Sequence, residues 1–496
     1  MPYYLTTPIY YVNAEPHLGH AYTTIAADVI ARHMRQRGDE VFFLTGTDEH
    51  GEPVAQAAER LGMTPQELVD RNAPKFKDLV KRVNATNDFF VRTSDPEHQK
   101  AVQDVLQRVH DAGHVYDGHY EGYYCPRCAD FKSDAELIDG NKCPIHLIVL
   151  EREVEDNWFF RLSAFQEPLE RWYAEHPEWV LPDFRYNEAL SFIRQGLQDI
   201  SLSRARLSWG VQVPWDPSQV FYVWFDALLN YYTALTYACP GEDLVQKFWP
   251  PSVQLLAKDI LKFHAVIWPA LLMAADLPLP KQLYIHGYLL LDEHKMSKSL
   301  GNVIDPFQVM DKFGTDALRF YLMREVSFGQ DGNVSPEGFE NRYTSELANE
   351  YGNLASRTLA MAERYLDRDL KAAETPLAAE FEGAAEAMCA RLDRIDVTGA
   401  LEEAWKRVRA LNRFVQQEEP WKLAKSDPDR VGPVLYGLAE GLRVTSLLLH
   451  PYMPDATGKL LDALGESRRS IDAARFGEWE GGRVSRIDPL FPRAEA

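Results

Sequence analysis

Hydrophobic positions near the start of the chain follow two different spacings, which predict two kinds of element. Residues 3–7 form a short uncharged stretch that is typical of a buried strand. Across residues 21–35 the apolar side chains recur every three or four positions, as on one face of a helix, and Gly38 marks a plausible end. The apolar run VFFL at 41–44 predicts another strand. Together these stretches predict a β-α-β unit.

A similar alternation returns late in the chain. VQLLA at 253–257 predicts a strand, a helical pattern begins at Asp259, and LYIHGYLLL at 283–291 predicts one buried parallel strand. Between the two halves, residues 115–225 are rich in aromatic residues, glycine and cysteine. We therefore expect an α/β domain with a doubly wound, Rossmann-like parallel sheet that is split by an insertion.

The pattern changes after about residue 345, where long segments of helix formers predict an α-helical bundle. The predicted units are 1–114 and 226–290 for the two halves of the α/β domain, 115–225 for the insertion, 291–345 for a loop and linker, and 346–496 for the helical domain.

Charge and composition narrow the function classes. The chain has 53 Lys and Arg against 74 Asp and Glu, a formal charge of −21, which opposes general coating of nucleic acid and requires local basic patches for any RNA contact. The first twelve residues carry no basic segment of a secretory leader, and the longest apolar stretch, 265–275, is too short to span a bilayer. We expect a cytoplasmic protein with no membrane and no DNA partner.

Cysteine and histidine cluster within the insertion. Cys125 and Cys128 form the pair C-P-R-C, and after fourteen intervening residues Cys143 and His146 form C-P-I-H. Three thiols and one imidazole fill a tetrahedral zinc site and leave no open position for chemistry, so we predict one structural zinc ion. The alternative is a set of unrelated surface cysteines.

The turn after the first predicted strand carries PHLGH, with His17, Gly19 and His20 at the start of the following helix. At the carboxyl edge of a doubly wound sheet, the N–H groups of a helix start favour phosphate. Glycine lets the backbone approach closely, and imidazoles can donate hydrogen bonds to phosphate oxygens. H-x-G-H also occurs by chance, so the motif needs support from elsewhere.

That support comes from DEHKMSKSLG at 292–301, in which Lys295 and Lys298 belong to KMSKS. A solvated surface loop is the alternative for an arbitrary lysine pair. Because KMSKS follows the predicted strand 283–291, we expect both motifs at one sheet edge, around one nucleotide. Two mobile ammonium groups suit a reaction in which negative charge builds on a triphosphate.

A polar stripe appears in the helical region. Asn349, Asn353 and Arg357 recur every four residues and so share one helix face. A solvated face usually carries Lys and Glu, whereas amides and a guanidinium can hydrogen-bond to base edges. Trp421, which follows Pro420, is a candidate for stacking on a base.

HLGH near the start and KMSKS late in a split α/β domain together resemble class I aminoacyl-tRNA synthetases, whose paired signatures read HIGH and KMSKS. The chain departs from this pair only at Leu18, and the resemblance covers essentially its whole length. It implies activation of an amino acid by ATP with magnesium, followed by transfer to tRNA. In that reading the catalytic and ATP-binding residues are His17, Gly19, His20, Lys295 and Lys298.

Within this family the chain is most similar to the methionine-specific members. The resemblance is carried by PIYYVNAEPHLGH at 8–20, GTDEHG at 46–51, VWFDALLNYY at 223–232, AKDILKFHAVIWPA at 257–270, NLASR at 353–357 and EPWKLAK at 419–425. The insertion is also too short for the large editing domain of the isoleucine, valine and leucine enzymes.

This resemblance implies roles for further residues. Asp48 resembles the carboxylate that holds the amino acid's ammonium group. The expected walls of a thioether pocket are Ile9, Tyr11, Trp224, Ala227, Leu228, Tyr231, Ile260 and His264. Aromatic walls suit a polarizable thioether, and Tyr11 or His264 could offer its sulfur a weak hydrogen bond, although each aromatic taken singly could be ordinary core. Leu228 and Asn230 replace the family's proline and glycine.

The resemblance also implies a zinc knuckle and anticodon reading by Asn349, Asn353, Arg357 and Trp421. We therefore expect an enzyme that forms methionyl-adenylate from methionine and ATP and charges tRNA(Met), acting as a monomer. Three alternatives stay open: a nucleotidyltransferase of the same superfamily without RNA, a synthetase for another amino acid such as cysteine, and an RNA-binding protein built on a decayed synthetase.

Overall fold

A six-stranded, all-parallel sheet lies at the centre of the protein. The computed structural model describes residues 1–125, 130–132, 134–144, 147–291, 294–295 and 304–492. From one edge to the other, the strands are β3 (Phe89–Arg92), β2 (Glu40–Asp48), β1 (Pro2–Tyr11), β12 (Val253–Ala257), β13 (Leu283–His286) and β7 (Val180–Leu181). The first half of the sheet and its helices comprise β1 (Pro2–Tyr11), α1 (Leu18–Gln36), β2 (Glu40–Asp48), α2 (Glu52–Arg60), α3 (Pro65–Arg82), β3 (Phe89–Arg92) and α4 (Pro96–Asp111).

The predicted β-α-β unit is confirmed. Strands β1 and β2 pair in parallel, and α1 crosses between them with its apolar side in a large buried cluster. The order places β1 between β2 and β12, so sequence-distant halves of the sheet meet at β1. This arrangement is a parallel α/β sheet, as expected from the chain's alternating elements.

The insertion builds two small antiparallel sheets, ordered β5-β4-β6-β8 and β10-β11-β9. One strand behaves differently: Val180–Leu181 pairs in parallel with the central sheet, inside the range predicted as insertion. The chain therefore leaves the central sheet and rejoins its edge before residue 225. The elements are β4 (Val115–Cys125), β5 (Asp130–Lys132), β6 (Glu151–Phe160), α5 (Gln166–Glu175), β7 (Val180–Leu181), α6 (Asp183–Arg194), β8 (Ile200–Ser201), β9 (Ser203–Arg204), β10 (Gln212–Val213) and β11 (Asp216–Phe221).

The second half returns to the central sheet through β12 and β13. A π-helical turn, Phe263–Ile267, leads into α10. The elements are α7 (Val223–Leu228), α8 (Asn230–Tyr237), α9 (Leu244–Phe248), β12 (Val253–Ala257), α10 (Trp268–Ala274), β13 (Leu283–His286), β14 (Leu289–Leu291), β15 (His294–Lys295), α11 (Pro306–Phe313), α12 (Thr315–Glu325), β16 (Gly332–Asn333) and α13 (Pro336–Arg342).

The prediction of one strand over 283–291 is wrong. The chain breaks at Gly287, after which β14 pairs with β15 and β16 in a separate three-stranded sheet. The cause is a crossing segment: a Cβ on Gly287 would lie 2.3 Å from the backbone carbon of Gln330. The Tyr288 N–H then donates to Asp331 Oδ1 at 2.8 Å, which directs the strand away from the central sheet.

The region after residue 345 is mainly helical, as predicted, and adds one short antiparallel strand pair. A π-helical segment, Tyr343–Gly352, leads into it. The elements are α14 (Asn353–Leu366), β17 (Asp369–Lys371), α15 (Ala378–Phe381), α16 (Ala384–Leu392), α17 (Val397–Glu418), α18 (Pro420–Ser426), α19 (Val431–Leu449), α20 (Pro454–Ala463) and β18 (Gly481–Arg483). None of the helices in the described ranges combines the length and apolar character needed to cross a bilayer.

A fully buried ion pair joins the parts of the molecule. Arg319 on α12 contacts Asp28 on α1 at 2.7 Å, and both side chains have 0% exposure. The guanidinium also donates to the carbonyl oxygens of Val83 (2.9 Å), Pro451 (2.6 Å) and Tyr452 (2.9 Å). Burial opposes ionisation of Asp28, but the charges of Arg319 and Arg32 outweigh it and hold the Asp28 pKa below its ordinary value. Helix α1 is thus fixed to α12 and to the helical region.

Replacing Arg319 with methionine should destabilise the protein strongly, because Asp28 would keep a buried charge with half of its compensation removed. Loss of one partner of a buried pair costs about 3–5 kcal/mol, which should appear as a lower midpoint in chemical denaturation. Asp104→Asn is the matched control, since it breaks the exposed Lys100–Asp104 pair and should barely move the midpoint. Equal shifts in the two variants would contradict the central role of Arg319.

Candidate active site

The HLGH motif forms the N-terminal cap of α1. The Gly19 N–H donates to His17 Nδ1, the His17 N–H donates to His20 Nδ1, and both distances are 3.1 Å. The two imidazoles stack with ring centroids 3.8 Å apart. A neutral imidazole that accepts at Nδ1 carries its proton on Nε2. Each ring therefore carries its proton on Nε2, beside the positive end of the helix, and N–H donors in that place suit phosphate.

Helix α1 also touches the end of the late strand β13. Thr23 Oγ1 lies 2.8 Å from His286 Nε2, and His286 is the last residue of that strand. The carboxyl ends of β1 and β13 therefore meet the same helix. Lys295 lies on β15, one hairpin beyond β13, so KMSKS follows the separate small sheet rather than the central one. Lys298 lies outside the described residues.

Asp48 ends β2 beside Tyr11, its register partner on β1. The carboxylate is only 3% exposed. Its Oδ1 and the Tyr11 hydroxyl oxygen are both buried, and neither makes a hydrogen bond of ordinary geometry among the described residues, although the two groups are close enough for each to shift the pKa of the other. Burial and the neighbouring charge of Asp226 raise the pKa of Asp48 well above its ordinary value. A buried acceptor in this condition favours a cationic ligand, which would restore its ionised form.

The predicted pocket walls pack together next to this carboxylate. Burial and the charge of Asp48 both raise the pKa of Tyr11, and Asp48 also raises that of Tyr231 behind the larger effect of burial, so these groups share one electrostatic environment. The Trp224 ring stacks on Phe263 with centroids 3.8 Å apart. Most of the predicted wall residues belong to one large apolar core cluster of the protein or pack against it: Ile9, Tyr11, Trp224, Leu228, Tyr231 and Ile260. Ala227 is likewise buried.

His264 is held as a neutral ring. Its Nδ1 lies 3.0 Å from the Ile260 carbonyl oxygen, which can only accept, so Nδ1 carries the proton. The Tyr231 hydroxyl then donates to Nε2 at 2.8 Å. Both ring nitrogens are occupied, and His264 has no N–H left to offer a thioether sulfur. Tyr11 therefore becomes the preferred donor of the two that the sequence suggested.

The two departures from the family pattern are accommodated within the wall. Leu228 is 1% exposed and packs in the cluster. The Asn230 amide donates to the Ala227 carbonyl oxygen at 2.6 Å. The Asn230 Oδ1 is buried without a hydrogen-bond partner among the described residues.

A buried polar network behind the pocket was missed by sequence reasoning. Asp226 on α7 accepts from His50 Nδ1 at 2.5 Å and His98 Nε2 at 2.7 Å. All three side chains are at most 2% exposed. His50 and Asp226 lie inside the quoted stretches GTDEHG and VWFDALLNYY, but nothing in the sequence indicates that His98 meets them from 128 residues away.

Two of the four predicted zinc ligands lie within the described residues. Cys125 and Cys143 have 0% exposure and lie in one small apolar cluster with Leu150. Among the described residues no disulfide joins them, and no group of three metal-ligating side chains occurs. The other two predicted ligands, Cys128 and His146, lie outside the described residues.

The polar stripe lies on the surface of the helical region. Asn349, Asn353 and Arg357 are exposed, while Tyr351 and Leu354 on the same helical stretch are buried. The Arg357 guanidinium lies over the Trp421 ring, 5.1 Å from its centroid. The structure thus brings together a cation and an aromatic ring that the sequence separates by 64 positions, in a cation–π contact.

Known proteins resemble this chain over its whole length. The family described as tRNA synthetases class I (M) matches residues 3–152 and 149–359, and the anticodon binding domain of methionyl tRNA ligase matches residues 367–476. The methionine--tRNA ligase of Streptomyces coelicolor is 45% identical and covers 99% of this chain and 97% of its own, and that of Rhizobium meliloti is 44% identical over 99% and 98%.

Solved structures agree. The Mycobacterium tuberculosis methionyl-tRNA synthetase in complex with methionyl-adenylate has a TM-score of 0.95 and 39% identity, covering 99% of this chain and 100% of that one. The apo form of the same synthetase has a TM-score of 0.87, 36% identity and coverage of 100% and 98%. The fold and the HLGH helix start are those of a class I tRNA synthetase. The chain belongs to the methionyl-tRNA synthetase family, and the resemblance first seen in its motifs is confirmed.

The His264 ring should stay neutral far below neutral pH. Burial lowers its pKa from the ordinary value of 6.5 to about 4. The stability gained by keeping this ring neutral is complete above about pH 6.5 and is lost as the pH falls through 4. Nuclear magnetic resonance of ring-labelled histidine, assigned by comparison with His264→Asn, should show Nε2 unprotonated at pH 5.5. A midpoint near 6.5 would contradict this environment.

Proposed function

We propose that this protein activates L-methionine with ATP to methionyl-adenylate and transfers the methionyl group to tRNA(Met). The observation that carries the proposal is Asp48, a buried carboxylate with an unpartnered oxygen at the end of β2, beside Tyr11 on β1. Membership of the methionyl-tRNA synthetase family over the whole chain supports the same activity.

Methionine would bind by its two ends. Its ammonium group would pair with Asp48, which becomes ionised as the cation arrives, and its thioether would lie among the walls formed by Tyr11, Trp224 and Tyr231. The Tyr11 hydroxyl is buried near Asp48 and would donate to the sulfur or to the carboxylate. Since His264 is neutral and fully bonded, it would shape the pocket without adding charge.

Adenylation would follow as an in-line attack by the methionine carboxylate on the α-phosphorus of ATP, with pyrophosphate leaving. The carboxylate is already ionised, so the enzyme needs no general base. The Nε2–H groups of His17 and His20 would donate to phosphate oxygens, and Gly19 lets the backbone approach them closely. Lys295 and Lys298 would stabilise charge on the departing pyrophosphate, with magnesium accompanying ATP.

A zinc ion would have a structural role in the insertion. Its ligands would be Cys125, Cys128, Cys143 and His146, and a site with four protein ligands contributes folding stability without binding substrate. The two buried thiols in one cluster support this ligand set.

The helical region would read the anticodon. Arg357 and Trp421 already form a paired cation and ring on the surface, to which an unstacked base can add. Asn349 and Asn353 continue the same face with hydrogen-bonding amides. With a net charge of −21, the chain would depend on this local site and not on overall attraction to RNA. We further propose that the enzyme acts as a monomer in the cytoplasm.

Asp48→Asn should weaken methionine binding selectively. Hydrogen bonds to charged groups contribute about 1.5–3 kcal/mol, so KM for methionine should rise roughly 10- to 100-fold while KM for ATP stays nearly constant. Methionine-dependent pyrophosphate exchange measures both constants. An unchanged KM for methionine would remove Asp48 from the proposed role, and the same assay with all twenty amino acids tests the choice of methionine.

Trp421→Ala should impair tRNA charging and spare adenylate formation. Stacking on an aromatic side chain is worth about 1–3 kcal/mol per base, so kcat/KM for tRNA should fall roughly 10- to 100-fold. Arg357→Ala should act in the same direction. Arg161→Ala is the matched control, since the Arg161 guanidinium also lies over an aromatic ring, that of Tyr116, but in the insertion and not in the helical region. Equal loss of exchange and charging would indicate damage to folding instead.

A further inference from the structure

A buried carboxylate between two histidines lies directly behind the amino-acid pocket. Asp226 is fully buried and accepts from His50 Nδ1 at 2.5 Å and from His98 Nε2 at 2.7 Å. An ionised carboxylate only accepts hydrogen bonds, so both facing nitrogens carry protons. Burial opposes ionisation of Asp226, but the charges and hydrogen bonds of His50 and His98 outweigh it and lower the pKa of this carboxyl to about 2. Asp226 is therefore a permanent buried charge.

The three residues come from elements that build different sides of the pocket. His50 is two residues after Asp48, in the loop that follows β2. Asp226 is on α7, between Trp224 and Ala227 of the predicted wall. His98 is on α4, and its Nδ1 lies 2.7 Å from Thr233 Oγ1 on α8, the helix that carries Tyr231.

The loop after β2 makes other hydrogen bonds, and these connect it to the side of β3 and to the insertion. Glu49 accepts from Arg92 and Ser94 on the side of β3, and its carbonyl accepts from Trp209 Nε1 at 2.6 Å on the side of the insertion. Among the described residues, the His50–Asp226 hydrogen bond is the one that joins this loop to α7. Gly51 of the same loop also packs on Val223 of α7, where a Cβ would lie 3.1 Å from Val223 Cβ. That contact limits how closely the loop approaches α7, and the hydrogen bond holds it there.

We propose that Asp226 is a positioning residue for the amino-acid site: through His50 it sets Asp48 at a fixed separation from the pocket walls, and His98 holds Asp226 in place. This inference rests on the proposed function, in which Asp48 receives the ammonium group. The arrangement selects ligands in which an ammonium group and an apolar side chain are held at one spacing.

The charge of Asp226 adds an electrostatic effect that a neutral support would lack. The groups facing Asp48 are Tyr11, Glu49, His50, Tyr231 and Asp226, and those facing Asp226 are His50, His98, Asp48 and Tyr11. Among the charged neighbours, Asp226 contributes most to the raised pKa of Asp48. When the pH falls below that pKa, Asp48 becomes neutral and ammonium binding should be lost. Removing the charge of Asp226 should shift this loss to lower pH.

The test compares two ligands, each of which lacks one of the two charged groups of methionine. L-methioninol keeps the ammonium group and lacks the carboxylate, whereas 4-(methylthio)butanoate lacks the ammonium group. In titration calorimetry on the full chain at pH 7.5, Asp226→Asn should weaken methioninol about tenfold or more and change the deaminated acid by less than about twofold. The acid limb of methioninol binding should also move to lower pH. Equal weakening of both ligands, or no change in either, would overturn the proposal.

Conservative variants keep the proposal testable if Asp226→Asn folds poorly. The amide of asparagine occupies nearly the place of Nδ1, and that of glutamine the place of Nε2, so His50→Asn and His98→Gln retain a donor toward Asp226. They should recover most of the methioninol binding lost in His50→Ala and His98→Ala. If each conservative variant is as weak as its alanine counterpart, the hydrogen bonds to Asp226 are not what positions Asp48, and the proposal fails.

Asp48→Asn, measured in parallel, distinguishes the two hypotheses. If Asp48→Asn still prefers methioninol over the deaminated acid as the parent protein does, the assignment of Asp48 in the proposed function is wrong. If that preference disappears while the Asp226 and His50 variants keep it, the proposed function stands and the positioning role is overturned. Loss of the preference in both sets supports both.

Discussion

The buried ion pair between Asp28 and Arg319 is the constraint that sets the position of α1, the helix of the HLGH motif, relative to α12 and the helical region. It fixes the middle of α1, whose first turn is the HLGH cap, to α12 and to the chain segment that ends α19. Separating a buried ion pair is costly, because it leaves two uncompensated charges in the protein interior. Arg319 thus links α1 to the helical region, and Gln36 at the end of α1 donates directly to the Leu447 carbonyl oxygen, 411 positions away in sequence.

The polar groups at the site differ in whether they have hydrogen-bond partners within the protein. Among the described residues, Asp48 Oδ1 and the Tyr11 hydroxyl have no hydrogen-bond partner, while two neighbouring groups are fully bonded. His264 is neutral and saturated, and Glu49 beside Asp48 is occupied by Arg92 and Ser94. In a low-dielectric pocket, a buried acceptor without a hydrogen-bond partner is unfavourable, and the binding of a cationic donor relieves this cost.

The features that could be predicted from the sequence are those set by residues close together in the chain. The first β-α-β unit, the helix start at HLGH and the exposed stripe at Asn349 to Arg357 all follow from periodicity and capping chemistry, and the structure contains them. The division of 283–291 into two strands could not be foreseen, because it depends on Gly287 meeting the backbone of Gln330. Likewise Asp48 was found through its motif, whereas His98 reaches Asp226 only through tertiary packing.

The order of strands in the central sheet has a consequence for how the protein is made. Strand β1 is flanked by β2 and by β12, so one of its edges gains a partner only when residues 253–257 have left the ribosome. Until then the nascent chain holds a long apolar strand with open N–H and C=O groups, the kind of edge that pairs with other chains. The same topology that brings the ends of β1 and β13 to one helix thus leaves one edge of β1 open while the chain is being made.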